Sequence, residues 1–72
     1  SRILQALSDW LVTQFARAVP PPIARAHAEH LLTLLQGAAV MAHAFRDPAL
    51  VDRQATAARQ WLRSVLPSTP QP

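Results

Sequence analysis

The chain has 72 residues, which is enough for one small domain and no more. It contains seven Arg, no Lys, four acidic residues and no Cys, and the absence of Cys excludes a disulfide framework and a thiolate metal site. Its net charge of +3 is spread as single Arg residues, which argues against a nucleic-acid surface. A chain this short buries only about 60% of its unfolded surface, so we expect it to be stabilised by packing against another chain or against further parts of the same protein.

The first predicted element is an amphipathic helix over residues 3–19. Its apolar positions recur at steps of three and four residues, and polar side chains lie largely elsewhere. Prolines at 20–22 end this helix, because proline lacks a backbone donor and disfavours helical geometry in the preceding residue. The same prolines can open the next helix, since a first turn tolerates them. The apolar stripe comprises Leu4, Leu7, Leu11, Phe15 and Ala18.

The second predicted helix runs from residue 22 or 23 to residue 44 or 45 and is apolar around most of its circumference. No Asp, Glu, Lys or Arg lies between Glu29 and Arg46. This interval is shorter than the ~20 apolar residues of a membrane span and contains Gln36 and His43, so we expect a helix buried on at least two sides. The side expected to pack in its own domain comprises Leu31, Leu35, Ala38, Ala42 and Phe45.

Gly37 lies in the middle of the second helix, where glycine costs ~1 kcal/mol relative to alanine. Close approach of another helix would offset this cost, and Val40 and Ala44 extend the face of small side chains on which such an approach could occur. The alternative is an incidental glycine in a buried helix.

A third helix is predicted to begin at Asp47-Pro48, because Asp caps a helix and Pro suits its first position. The connection before it is so short that the second and third helices should form an antiparallel hairpin. Pro67 ends the third helix, and residues 67–72 are expected to be a disordered tail. With no strand candidate, the predicted fold is all-α, a hairpin with one preceding helix. The stripe of the third helix comprises Val51, Ala55, Ala58, Leu62 and Val65, widened by Leu50, Ala57 and Trp61.

Catalytic and metal chemistry receive little support from the sequence. His27 and His30 share one helix turn, but the HExxH motif needs different spacing and no carboxylate stands ready as a third ligand, so surface or pocket-edge histidines are favoured over a metal site. A single Gly excludes a Gly-rich phosphate loop, and the four carboxylates form no acid and base pair. We therefore expect neither an enzyme nor a cofactor.

Residues 31–50, LLTLLQGAAVMAHAFRDPAL, resemble the last two long helices of TetR-family transcriptional regulators. In that family a Leu/Ala-rich run leads through Gln-Gly-Ala, an apolar stretch and an Arg-Asp-Pro turn into a closing Ala/Arg/Leu helix. The resemblance covers about residues 23–66. It implies that residues 1–66 belong to the C-terminal domain of a cytoplasmic repressor, and the all-Arg, Ala- and Pro-rich composition suggests a bacterial origin.

The partners implied by this resemblance are a second copy of the chain, a small-molecule effector in the parent protein, and DNA only through an N-terminal helix-turn-helix outside these residues. The two long helices would pair with their symmetry mates in a dimeric four-helix bundle. Effector contacts are expected from Trp10, Gln14, His27 and His30, although for Trp10 a place in the core is favoured over one in a pocket. The predicted dimer interface comprises Gly37, Val40, Met41, Ala44, Ala55, Ala58, Trp61, Leu62 and Val65.

Three other functions remain open from the sequence. A helical docking module of a larger assembly, unrelated to DNA, would share the apolar hairpin without two-fold symmetry. Membrane-surface helices would cluster basic residues on one face, whereas the most apolar helix here has almost none. An enzyme fragment would need catalytic groups that lie outside these residues.

Overall fold

The computed structural model describes residues 1–67, so the predicted tail at residues 67–72 lies outside the described residues except for Pro67. The described chain contains three helices and no strand, which confirms the all-α fold. Of these helices, none combines the length and apolar character needed to cross a membrane. The chain divides into a first compact unit, Ser1–Thr33, and a second that begins at Leu34. The helices are α1 (Arg2–Phe15), α2 (Pro21–Ala44) and α3 (Ala49–Val65).

Helix α1 ends at Phe15, four residues before the predicted end at Val19. After Phe15 the amides of Arg17 and Ala18 each bond to the carbonyl three residues back, at 3.2 and 3.0 Å. These tighter bonds close the last turn, and α1 cannot continue because Pro20 has no N–H and disfavours helical geometry in Val19. The apolar periodicity continues to Ala18, but backbone sterics end the helix earlier.

Prolines at the start of α2 reduce the number of backbone N–H groups that need a capping partner. The Pro20 carbonyl accepts a hydrogen bond of 2.9 Å from the Ala24 amide, which places Pro21 and Pro22 in the first turn. Pro20, Pro21 and Pro22 have no N–H, so three of the four donors that a helix start leaves unpaired do not exist here, and only that of Ile23 remains. The proline run therefore ends one helix and begins the next, as predicted.

The connection from α2 to α3, residues 45–48, contains a left-handed residue. Arg46 has φ 51°, and its amide bonds to the His43 carbonyl at 3.3 Å while the Asp47 amide bonds to the Ala42 carbonyl at 2.9 Å. This pair of bonds is the Schellman arrangement, in which glycine usually occupies the left-handed position. An Arg at this position carries roughly 1–2 kcal/mol of backbone strain.

Helix α3 begins where the Asp47-Pro48 signal predicts it, within one residue. Pro48 already has helical angles, φ −63° and ψ −25°, and Ala49 is the first residue of the helix. The Asp47 carboxylate is hydrogen-bonded to Arg53, and this bond is the main cause that lowers the Asp47 pKa. Partial desolvation opposes the shift, whereas the charge of Arg53 and the amides of Leu50 and Ala49 add to it.

The core of the first unit joins α1 to the first half of α2. Leu11 and Phe15 are buried on α1, and Ala24 and Ala28 are completely buried on α2. Alanines at these positions let the α1 side chains pack close to the α2 backbone. The Phe15 ring also meets the His27 ring edge-on, with centroids 5.5 Å apart and an interplanar angle of 64°.

In the second unit the rest of α2 and α3 form the predicted hairpin, with Ala38, Leu50 and Ala58 buried. The prediction that Phe45 packs in its own domain is wrong, because its side chain is 69% exposed. Phe45 follows the last residue of α2 and lies in the turn, where the stripe of the helix no longer continues. Leu35 on the same predicted side is also exposed.

Candidate self-association surface

The second half of α2 carries four apolar residues that the second unit leaves open: Gly37, Val40, Met41 and Ala44, called here the open strip. Their spacing of i, i+3, i+4 and i+7 places them on one side of the helix. Val40 is 66% exposed and Met41 is 48% exposed, and the other two are exposed as well. The open strip is thus an apolar helix face of two turns in contact with water.

Gly37 is not required by any contact within the described chain. A Cβ atom built on it would have no atom within 4 Å, apart from the backbone of its own helix and its chain neighbours. Alanine would therefore fit and would save ~1 kcal/mol of helix propensity. Because glycine has no side chain, the open strip has a notch at Gly37, where the backbone of another helix could pack closely.

The open strip has no charge of its own and no charged residue within its stretch of helix. The nearest charged side chains along the chain are Glu29 before it and Arg46 after it. Exposed Gln36 directly precedes the strip and exposed His43 lies between Met41 and Ala44, and both provide polar groups. A second apolar surface could therefore cover the strip without desolvating a formal charge.

The five predicted interface residues on α3 are less exposed to solvent than the four on α2. Ala58 is only 6% exposed, whereas the other four are half-buried. Half-burial leaves part of each side chain accessible to a further partner, and complete burial leaves almost none. These five side chains are therefore already wholly or partly buried within the hairpin of the second unit. The half-buried positions are Ala55, Trp61, Leu62 and Val65.

Two of the predicted effector residues, Trp10 and Gln14, lie one turn apart on α1. Trp10 is 58% exposed, so the alternative that it is a core residue is wrong. Gln14 is half-buried, and its side-chain oxygen accepts a hydrogen bond of 3.4 Å from Arg17. The pair presents an indole and an amide on one side of the helix.

The other two predicted effector residues, His27 and His30, lie one turn apart on α2 in the same unit. His27 is half-buried and its ring packs against Phe15, whereas His30 is exposed. Over residues 1–67, no group of three or more His, Cys, Asp or Glu is placed to hold a metal ion. The contact with Phe15 gives His27 a packing role in the first unit.

Two features of the structure were not expected from the sequence. One is the left-handed backbone of Arg46, since no residue type that favours this conformation marks the position. The other is an exposed apolar face on α1, formed by Ile3, Trp10 and one member of the predicted stripe, Leu7. Its spacing of i, i+4 and i+7 is helical and could have been found beside the predicted stripe.

The chain matches no protein-family model, and no curated protein or solved structure is significantly similar to it. Within the second unit, the open strip places two large apolar side chains, Val40 and Met41, in water on one side of a single helix.

Proposed function

We propose that this chain is the C-terminal dimerisation and effector-sensing portion of a bacterial, cytoplasmic TetR-like transcriptional repressor, and that two copies pair through the open strip. The observation that carries the proposal is the exposure of Val40 and Met41 on an uncharged helix face. Contiguous exposed apolar patches, unlike single exposed apolar residues, mark interaction sites. The proposed function is not catalytic and involves no membrane.

A second copy suits the open strip because the strip can pack against itself. In a two-fold symmetric dimer the same surface is used on both subunits, so it must not carry a charge that would face its own copy. The strip satisfies this condition between Glu29 and Arg46. The small residues Gly37 and Ala44 would let the two α2 helices approach closely, while Val40 and Met41 would fill the space on either side.

The third helix would complete a four-helix bundle with the second copy. In such a bundle a residue that faces the centre contacts its own neighbouring helix and the partner subunit. The half-buried Trp61, Leu62 and Val65 suit this double role, whereas Ala58 is almost fully covered within its own hairpin.

Effector sensing is proposed for the first unit. The exposed Trp10 offers a flat apolar surface, and Gln14 one turn away offers a polar group that could orient a ligand. Binding of DNA would require an N-terminal helix-turn-helix, and an effector would act by shifting the dimer between two arrangements.

An alternative function is a helical protein-interaction module of a larger assembly without two-fold symmetry. The observation that favours it is the second open face, Ile3, Leu7 and Trp10 on α1. A chain with two exposed apolar faces could hold two different partners.

Sedimentation equilibrium of the purified chain over a hundredfold range of concentration separates the two functions. The dimer proposal predicts a mass that rises from that of one chain, 7.9 kDa, to twice that value and no further. A chain that stays monomeric at the highest concentration would contradict the dimer and favour the interaction module.

The regulator assignment has a separate test in the coding sequence upstream of Ser1. A helix-turn-helix of about 50 residues near the N-terminus of the parent protein would support it. An upstream region of a different kind would reject the regulator while leaving the dimer intact, so the two parts of the proposal can fail independently.

A further inference from the structure

We draw no further inference here: the strongest candidate, the exposed apolar face of α1 formed by Ile3, Leu7 and Trp10, carries nothing more because nothing in the structure shows what covers it.

Discussion

The carboxylate of Asp47 accepts a hydrogen bond of 2.7 Å from the guanidinium of Arg53, six residues further along the chain in the first turns of α3. The bond links the connection before α3 to the helix itself. It favours the ionised carboxylate and is the largest cause of the lowered Asp47 pKa.

The first prediction concerns the pH dependence of stability. Because the folded-state pKa of Asp47 lies below its ordinary value of 3.8, the stabilisation is fully present above that value and is lost as the pH falls through the folded-state pKa. Asp47→Asn should therefore lower the melting temperature slightly at pH 7 and make no difference well below pH 3.8.

Thermal unfolding followed by circular dichroism between pH 2 and pH 7 checks this expectation. Arg53→Gln should remove the same pH-dependent increment, and Asp52→Asn, an exposed acid in the first turn of α3, serves as the control. An equal pH dependence in the wild type and in Asp47→Asn would show that the ion pair contributes no stability.

The second prediction concerns the turn between α2 and α3. Arg46→Gly should stabilise the chain, because glycine adopts the left-handed conformation without the roughly 1–2 kcal/mol of strain borne by other residues. The greater freedom of glycine in the unfolded chain offsets about 0.4–1 kcal/mol of this gain. A net increase of roughly 0.5–1 kcal/mol in the free energy of unfolding is expected from urea titration.

Arg46→Ala is the matched control for the turn. It removes the same side chain but keeps a Cβ atom at φ 51°, so it should leave the free energy of unfolding nearly unchanged. If alanine stabilised the chain as much as glycine did, the side chain and not the backbone would be the source of the strain.

The third prediction compares the two phenylalanines. Phe15 is 5% exposed and Phe45 is 69% exposed. Phe15→Ala should cost about 3–5 kcal/mol in the free energy of unfolding, whereas Phe45→Ala should change it by less than about 0.5 kcal/mol. Both values come from chemical denaturation followed by circular dichroism at low chain concentration, and similar losses in the two variants would contradict the described burial.

The fourth prediction concerns Gly37. Gly37→Ala should raise the free energy of unfolding of the single chain by about 1 kcal/mol, because a Cβ atom meets nothing there and the helix gains propensity. Gly37→Leu should preserve the helix content but weaken the proposed dimer, since its side chain would hold the second helix away. An intact dimer in Gly37→Leu would remove Gly37 from the interface.

The number and type of the helices could be predicted from local chemistry alone. The prolines at 20–22 and the Asp47-Pro48 pair determine where the chain leaves one helix and enters the next, and these steric effects do not depend on distant residues. The periodicity of the apolar residues predicted the burial of Leu11 and Phe15 on α1, whereas the other members of that stripe are exposed: Leu4, Leu7 and Ala18.

The exposure of individual apolar residues could not be predicted, because a helix that is apolar on most sides does not indicate which side its own chain covers. Phe45 belongs to the same stripe as the buried Ala38, yet it is exposed because it lies beyond the helix end. The left-handed backbone of Arg46 could not be predicted either, because the turn and not the residue type imposes this conformation.

The central claim, that two copies pair through the open strip, is tested most directly by two lysine substitutions on α2. Ala44 lies in the strip and Ala39 lies outside it on the same helix, and both are exposed. Sedimentation equilibrium should show that Ala44→Lys raises the dimer dissociation constant roughly tenfold or more, because a charge would be buried in an apolar contact, while Ala39→Lys leaves it unchanged. Equal dissociation constants for the two variants would contradict pairing through the open strip.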